Sequence, residues 1–250
     1  METIMSRANP LCAHLKKLAA SRSYREETGE FLCDSPKLLR EALRWGAPVK
    51  VILFTGQQPP EDIPPQVRLV RVSESVMKAV SPMETPQGVV FSCALPGDAL
   101  PETLENGRCL VLDGVQDPGN VGTVLRTADA FDCEVFLLPG CADLYSPKTV
   151  RAAMGVHFRR PLRRCTLDEL TALLERCGVP LYAAALREDT ADVRNTDLKR
   201  CAVVIGSEGR GVSPQVLEKC ERTLKIPMTE RCESLNAAVA AGVILWEMWR

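Results

Sequence analysis

The fold is decided by CLVLDGVQDPGNVGTVLRTADAFDCEVFLLP, residues 109–139. It begins with aliphatic and β-branched residues that predict a strand at 109–115. The turn after this strand contains two glycines and a proline, and VGTVLRTADAF at 121–131 predicts a helix. EVFLLP at 134–139 then predicts a second apolar strand. Two apolar strands joined through a helix are typical of a parallel sheet, because the crossover returns the chain to the same end.

Later segments continue the same alternation. Strands are predicted at VPLYAAAL (179–186), CAVVIG (201–206) and TLKIP (223–227). A final helix is predicted from Glu233 to the C-terminus. Continuous apolar strands that alternate with helices indicate an α/β fold with a mostly parallel sheet covered on both faces.

A small α/β unit is predicted ahead of this region. Its first helix is expected over 9–21, where leucines recur at helical spacing. Ser35 followed by Pro36 is typical of the start of a second helix, and a third is expected from about Ser73. The strands of this unit are predicted at 30–33, 49–55, 67–72 and 88–94.

A segment rich in proline, glycine and acidic residues, ALPGDALPETLENGR, lies at 94–108. It has little hydrophobic periodicity, which is typical of a linker. We therefore predict two domains, at 1–95 and 108–250, joined by a linker at 96–107.

Composition places the chain among globular proteins, since 46% of its 250 residues are hydrophobic and 25% are charged. The formal net charge of −1 excludes a polycation, so a nucleic-acid partner has to be held by a local patch. The first ten residues lack the apolar core of a signal peptide, and the longest apolar run, 234–246, is too short to span a bilayer. A cytoplasmic protein is therefore expected.

Eleven cysteines are scattered along the chain without any Cys-x-x-Cys pair. Only two histidines are present to complete a zinc site. Most of the cysteines lie in apolar stretches, so the pattern predicts buried, reduced thiols, and no metal is expected.

Three loops form the candidate site, because open α/β sheets bind ligands at the carboxyl ends of their strands. They lie at 114–126, 205–214 and 226–242. The first places Asn120 and Arg126 in the early turns of a helix. The second has three glycines within six residues, which lets the backbone approach a ligand closely. The third brings Ser234 and Asn236 near the start of the last helix.

Each loop also has a purely structural interpretation. Glycine-rich turns after strands are common, and this spacing matches neither the dinucleotide fingerprint nor a Walker loop. Ser234 is a suitable N-cap residue, and Arg126 is equally compatible with a solvated helix position. The functional interpretation depends on all three loops occurring together and in this order.

Together the loops resemble the three motifs of the SpoU (TrmH-like) branch of the SPOUT RNA methyltransferases. The first motif, Asn-x-Gly-x-x-x-Arg, is present at 120–126. The second, an apolar strand followed by Gly-Ser-Glu-Gly, ends at 206–209. The third, Ile-Pro-Met followed by Ser-Leu-Asn, is present at 226–228 and 234–236. The likeness extends to SPKTVRAAMG at 146–155 and, more loosely, to the N-terminal region, so it spans nearly the whole chain.

The resemblance implies an enzyme that transfers a methyl group from S-adenosylmethionine to a ribose 2′-hydroxyl of RNA without a metal. Ribosomal RNA is favoured over transfer RNA, because an N-terminal domain of this kind is typical of the rRNA-directed branch. The family fold further implies that the C-terminal segment threads through a loop as a deep trefoil knot. The knot would bring the second and third motifs together around the cofactor.

The resemblance also implies which residues act. The catalytic set is Arg126, Asn120, Glu208, Ser234 and Asn236. The cofactor-binding set is Gly206, Ile226, Leu235, Gly209 and Met228. Within the family the arginine is the proposed catalytic residue, and some accounts make it the base. A guanidinium rarely gives up its proton, so a bidentate grip on the neighbouring phosphate is physically easier. Glu208 or a phosphate would then receive the proton.

The stretch between Tyr145 and Cys165 contains six cations and no acid. A solvated basic face is the ordinary interpretation of such a run, but within this family it predicts an RNA-binding surface. The predicted RNA contacts are Lys148, Arg151, Arg159, Arg160, Arg163 and Arg164, together with Arg7, Lys16, Arg22 and Arg25 near the N-terminus.

Two positions depart from the family pattern. Glu230 stands in the cofactor loop where glycine is usual, and it is expected to point outward with a modest effect on cofactor affinity. Asp34 and Ser35 stand where Glu-Gly is common, which is expected to alter the RNA that is recognised. Neither departure involves the predicted catalytic residues.

Two rival functions fit parts of the pattern. A nucleotide-dependent oxidoreductase would share the sheet and its glycine-rich turns, but the glycine spacing and the ribose-binding acid after the first strand are missing. A non-catalytic RNA-binding or ribosome-assembly factor would need the N-terminal domain and the cations. It would not need Arg126 and Asn236, whose presence favours an enzyme.

An apolar stripe runs along the last helix. It comprises Leu235, Val239, Gly242, Trp246 and Trp249 at helical spacing. Such a stripe is in part intramolecular core, but two tryptophans so close together predict that a partner covers some of it. A homodimer is therefore expected.

Overall fold

The computed structural model describes residues 2–187, 190–229, 231 and 234–250. The chain forms two compact units. The first comprises the residues up to Gly97 together with Asp143–Arg160, and the second comprises Asp98–Ala142 together with Pro161–Arg250. The chain therefore leaves the second unit at 143, packs again within the first, and returns at 161. The sequence-based domain boundaries place the segment 143–160 in the second domain, 108–250, whereas in the structure it belongs to the first unit.

The first unit is built on a five-stranded mixed sheet. Its strands are β1 (Glu2–Ile4), β2 (Glu30–Asp34), β3 (Val49–Phe54), β4 (Arg68–Val72) and β5 (Val89–Ala94). Its helices from the N-terminal part of the chain are α1 (Pro10–Ala20), α2 (Arg22–Thr28), α3 (Pro36–Arg44) and α4 (Glu74–Val80). The strand order is β1-β4-β3-β5-β2, and β5 runs antiparallel to both of its neighbours.

The two faces of this sheet are covered by different elements, because successive strand residues point to opposite sides. Leu32 and Leu53 pack in one core with Leu15 of α1 and Met77 of α4. On the other face, Phe31 and Phe91 pack against Phe158 of the segment 143–160, called the returning segment below. Phe54 shares this second face and lines a groove with residues of α3. Helix α3 and the segment 143–160 therefore cover the face opposite α1 and α4.

Three arginine–carboxylate pairs fasten the returning segment within the first unit. Arg25, only 4% exposed, pairs with Asp143 and also donates to the carbonyl of Leu18. Arg151 Nη1 lies 3.1 Å from Asp34 Oδ2. The third pair joins Arg159 Nη1 and Glu41 Oε2 at 3.3 Å. Burial raises the pKa of the Asp34 carboxyl, an effect that Arg151 opposes.

Ser35 has a backbone φ of +94°, in the region that favours glycine. It is the N-cap of α3, and its hydroxyl accepts a hydrogen bond from the N–H of Leu38 at 3.3 Å. The predicted helix start is thus confirmed. The cap retains one hydrogen bond at the cost of a strained backbone.

The second unit contains the remaining strands of the chain that the structure describes. They are β6 (Arg108–Asp113), β7 (Glu134–Leu137), β8 (Arg163–Arg164), β9 (Leu181–Ala184), β10 (Ala191–Asp192), β11 (Cys201–Gly206) and β12 (Arg222–Lys225). The helices are α5 (Pro118–Ala130), α6 (Pro147–Ala152), α7 (Leu167–Cys177), α8 (Pro214–Lys219) and α9 (Ala237–Trp249), of which α6 lies in the returning segment.

The second sheet has the order β10-β12-β9-β11-β6-β7-β8, and its paired strands are parallel. Strands β6 and β11 are neighbours, with Asp113 in register with Gly206. Because parallel strands end at the same edge, the loops after β6, β11 and β12 all emerge there. The predicted α/β fold with a mostly parallel sheet and a small preceding α/β unit is confirmed.

Several short elements were not predicted. Strand β1 pairs with β4 at the sheet edge, and β8 and β10 have two residues each, too short to show periodicity. The first helix ends at Ala20, because Ser21 is extended and caps α2. The last helix begins at Ala237; Glu233, its predicted start, lies outside the described residues.

The ten described cysteines are free thiols, and seven of them are buried. Burial raises the pKa of the Cys141 thiol to about 11 and that of Cys165 to about 12, which keeps both protonated near neutrality. Within the described ranges, no three His, Cys, Asp or Glu side chains form a group that could hold a metal ion. No helix among those residues is long and apolar enough to cross a membrane.

The buried ring of His157 predicts a pH-dependent stability. Its Nε2 lies 2.7 Å from the carbonyl oxygen of Leu144, and burial lowers its pKa from 6.5 to about 4. The unfolded chain therefore binds a proton that the folded chain resists, so stability falls as the pH drops from about 6.5 to 4, by up to roughly 3 kcal/mol. Urea unfolding of the wild type and of His157→Gln over this pH range measures the effect. Parallel pH profiles for the two proteins would contradict it.

Candidate active site

A cavity of about 300 Å³ lies at the carboxyl edge of the second sheet. All five residues predicted to bind the cofactor line it: Gly206, Gly209, Ile226, Met228 and Leu235. Two predicted catalytic residues, Glu208 and Ser234, line it as well. Much of the remaining wall is aliphatic, including Ala184, Leu186, Ile205 and Leu224. The structure thus brings the second and third motifs to one cavity, although they are far apart in the chain.

The loop after β11 folds back on itself beside this cavity. Ser207 and Gly211 exchange backbone hydrogen bonds of 3.0 and 2.9 Å. A side chain at Gly206 would place its Cβ 2.0 Å from the carbonyl carbon of Gly211, so only glycine fits there. The loop is further tied to β6, since the N–H of Ser213 donates to Asp113 Oδ2 at 2.7 Å. Glycine 206 is therefore required for the path of the loop itself.

Three predicted catalytic side chains form one hydrogen-bonded row. Asn120 donates through Nδ2 to the carboxylate of Glu208. The Oδ1 of Asn120 accepts from Asn236 Nδ2 at 3.1 Å. The Oδ1 of Asn236 accepts from the N–H groups of Ala238 and Val239 at 3.0 and 3.4 Å, which makes it the N-cap of α9. In both asparagines the Nδ2 group donates and the Oδ1 atom accepts a hydrogen bond, which fixes the orientation of both side-chain amides.

This row also joins the N-termini of two 13-residue helices. Asp117 caps α5 by accepting from the N–H of Asn120 at 2.9 Å, and Asn236 caps α9. Helix N-termini carry partial positive charge, which favours phosphate groups and developing oxyanions nearby. The arrangement therefore suits an anionic substrate.

Two predicted catalytic residues lie outside the row. Arg126 is exposed on α5, and no hydrogen bond or ion pair links it to the described residues. Its guanidinium is therefore available to a substrate. Ser234 lines the cavity, and its alternative role as the N-cap of the last helix belongs instead to Asn236.

The predicted basic surface is largely neutralised by acids from distant parts of the chain. Besides Arg151 and Arg159, Arg163 pairs with Glu134 at 3.0 Å and Arg164 pairs with Asp98. The absence of acids between 145 and 165 therefore does not produce an uncompensated positive surface at these four positions.

The remaining predicted RNA contacts differ in exposure. Lys148, Arg7 and Lys16 are exposed, Arg160 is half-buried, and Arg22 forms a surface pair with Glu26. Arg25 is buried, and its guanidinium holds Asp143. The structure thus contradicts a direct RNA contact by Arg25.

Two site residues were missed by the sequence analysis. Asp117 stands before Pro118 at the start of α5, and this Asp-Pro pair is a recognisable helix-start signal. Asp113 holds the N–H of Ser213, one hundred residues further along the chain. No local sequence pattern predicts a hydrogen bond between residues so far apart in the chain. Glu230, the departure in the cofactor loop, lies outside the described residues.

Comparison with known proteins identifies the family. The SpoU rRNA Methylase family matches residues 107–246, more than half of the chain. The chain belongs to the SpoU rRNA Methylase family. Ahead of this region, the MRM3-like substrate binding domain matches residues 9–90. The resemblance stated from the three motifs is thereby confirmed.

Proteins named as rRNA methyltransferases match nearly the whole chain. The 23S rRNA (guanosine(2553)-2′-O)-methyltransferase RlmP of Bacillus subtilis is 34% identical, over 99% of both chains. The human mitochondrial rRNA methyltransferase 3 is 30% identical, over 92% of this chain and 70% of its own. The AdoMet-bound rRNA methyltransferase of Sinorhizobium meliloti superposes with a TM-score of 0.86 at 28% identity, covering 99% and 97% of the two chains.

The two glycines of the second motif predict opposite responses to alanine. Gly206→Ala should destabilise the second unit strongly, because its Cβ meets the rigid backbone of Gly211 and Val212 at 2.0 to 2.3 Å. Gly209→Ala is the matched control, since a Cβ there meets nothing within 4 Å. Thermal unfolding without cofactor measures both. Equal melting temperatures for the two variants would show that the folded-back loop is not a constraint.

Proposed function

We propose that this chain transfers a methyl group from S-adenosylmethionine to the 2′-hydroxyl of a ribose in ribosomal RNA. The observation that carries the proposal is the row of Asn120, Glu208 and Asn236 beside the cavity of the second and third motifs. A protein that only bound RNA would not need such an oriented polar row next to a mostly apolar cavity. The likeness to two rRNA methyltransferases, over 99% and 92% of this chain, supports an enzyme of this class.

The cavity fits the proposed cofactor. Aliphatic side chains such as Leu186 and Ile226 suit an adenine ring, while the folded-back loop at Gly206 brings backbone groups to the wall. Gly209, Met228 and Leu235 complete the proposed binding set. When bound, S-adenosylmethionine supplies a methyl group made electrophilic by the adjacent sulfonium.

The residues of the row are proposed to orient the ribose and receive its proton. The Glu208 carboxylate is exposed and fixed by Asn120, so it is placed to accept a proton from a hydroxyl at the cavity mouth. Asn236 holds Asn120 in one orientation through its cap on α9. Ser234, on the cavity wall, offers a further hydroxyl to the nucleotide.

Arg126 is proposed to bind the phosphate beside the target ribose. Its guanidinium has five donors in a fork that matches a phosphate, and it is exposed on α5. Such a contact would fix the nucleotide and stabilise charge that develops on the ribose oxygen. Proton acceptance is left to Glu208, since a guanidinium rarely loses a proton.

Selection of the RNA is proposed to be the role of the substrate-binding domain at 1–95, aided by the cations between 145 and 165. Lys148, Arg7 and Lys16 are exposed and are proposed to meet phosphates. Arg22, Arg151, Arg159, Arg163 and Arg164 are proposed to donate hydrogen bonds to RNA, while their carboxylate partners reduce their net positive field. Arg160 is proposed to contact the RNA as well.

Three finer features belong to the proposal. A homodimer is supported by α9, where Val239, Trp246 and Trp249 are each about half exposed even though the tryptophans also touch Phe131. The trefoil knot is supported by membership of the SpoU family. A cytoplasmic location is supported by the ribosomal RNA that the proposal names as substrate.

Arg126→Ala is expected to lower the rate of methyl transfer by at least 100- to 1000-fold, the usual loss for a preorganised charge contact at a reacting centre. Its affinity for S-adenosylmethionine should stay within about twofold of the wild type, because Arg126 is absent from the cavity wall. Arg126→Lys should recover little, since an ammonium lacks the fork. Single-turnover transfer and cofactor titration measure the two quantities. Near-normal transfer by Arg126→Ala would refute the assigned role.

A further inference from the structure

The outer surface of α3 carries cations that have no acidic partner. Lys37, Arg40 and Arg44 are exposed and lie at i, i+3 and i+7, on one side of the helix. No ion pair or side-chain hydrogen bond joins them to the described residues. Glu41, the acidic residue that lies between them in the sequence, forms its ion pair with Arg159. Unlike the paired arginines of 145–165, these cations form no ion pair with the described residues.

Helix stability does not explain this placement. Lys37 lies in the first turn of α3, where the positive end of the helix dipole disfavours a cation, and that turn contains no acid. Pro36 before it and the Ser35 cap already satisfy the helix start. A lysine that opposes the dipole is better explained by a negatively charged ligand.

An exposed aromatic ring adjoins these cations. Trp45, the residue that ends α3, is 49% exposed. The guanidinium of Arg44 lies 5.8 Å from the centre of its ring. Proteins that bind single-stranded nucleic acid combine a cationic track for phosphates with aromatic rings on which bases stack. Arg44 and Trp45 together provide both elements.

A groove of about 980 Å³ runs along the same helix. Arg40 and Arg44 line its α3 side, and Glu61 and Asp62 of the loop after β3 also line it. A phosphate backbone is repelled by these carboxylates and is therefore expected along the α3 side. The amino groups of bases, which are hydrogen-bond donors, can face the acids.

We infer that the α3 surface, comprising Lys37, Arg40, Arg44 and Trp45, docks a single-stranded segment of the substrate RNA. The inference rests on the proposed function and names the part of the first unit that holds the RNA. The cations contact consecutive phosphates and the tryptophan stacks on an unpaired base. Single-stranded RNA fits better than a duplex, whose bases are already stacked and hide their faces.

The electrostatic part is tested with the full chain and a labelled, mixed-sequence single-stranded RNA of about 20 nucleotides. Arg40→Gln/Arg44→Gln should weaken binding at least tenfold at low salt and lower the slope of log affinity against log salt by roughly 1 to 2. Lys50→Gln/Lys78→Gln removes the same charge from exposed lysines of the first unit outside the α3 surface. It should leave the salt slope within error of the wild type.

The stacking part has a different signature. Trp45→Ala should weaken binding roughly tenfold without changing the salt slope, because stacking releases no counterions. Trp45→Phe should restore most of the affinity, since a phenyl ring also stacks. A purely structural role for Trp45 would instead lower the melting temperature and leave the affinity of the folded protein unchanged, which would overturn this part.

Methyl transfer to protein-free ribosomal RNA separates this inference from the proposed function. The arginine variant should raise the KM for RNA about tenfold while kcat and cofactor affinity are retained. A wild-type KM and salt slope in this variant would overturn the inference and leave the enzyme assignment intact. A wild-type protein that methylates no ribose would overturn the proposed function itself, whatever the RNA affinities of the variants.

Discussion

The side-chain amide of Asn120 is the interaction on which the candidate site depends. It joins the start of α5 to Glu208 and to Asn236, which lie 88 and 116 residues further along the chain. A hydrogen bond of this kind contributes only about 1 kcal/mol to stability, so its importance lies in position rather than energy. Because one amide links the loops after three different strands, a shift of any one of them breaks the row. The apolar cavity and the proposed proton acceptor are held together by this constraint.

Charge in this protein is organised by long-range pairing rather than by local sequence. Arg25, Arg151 and Arg159 are each bound to a carboxylate more than one hundred residues away, within the first unit. These pairs fasten the returning segment and remove much of the field that its sequence suggests. With a net charge of −1, the chain can attract RNA only where cations lack such partners. Helix α3 is one such place.

The sequence was sufficient for those features that depend on local patterns. Apolar runs such as 109–115 and 201–206 predicted strands of a parallel sheet, and the structure makes these two strands neighbours. The glycines at 206–211 predicted a backbone that approaches a ligand closely; the structure shows that Gly206 is also required by the backbone of Gly211. Features fixed by distant contacts were missed. The partner of Arg163 and the hydrogen bond between Asp113 and Ser213 have no local signature. From the sequence, Ser234 was a suitable cap for the last helix, whereas in the structure Asn236 accepts the N–H groups of Ala238 and Val239.

The most direct test of the central claim is chemical identification of the modified nucleoside. The purified chain is incubated with S-adenosylmethionine and protein-free ribosomal RNA, and the RNA is digested to nucleosides for mass spectrometry. The row at Asn120 and the apolar cavity predict one 2′-O-methylated nucleoside, absent when the target carries a 2′-deoxyribose. A methyl group found on a base, or transfer that persists to the 2′-deoxy target, would contradict the account.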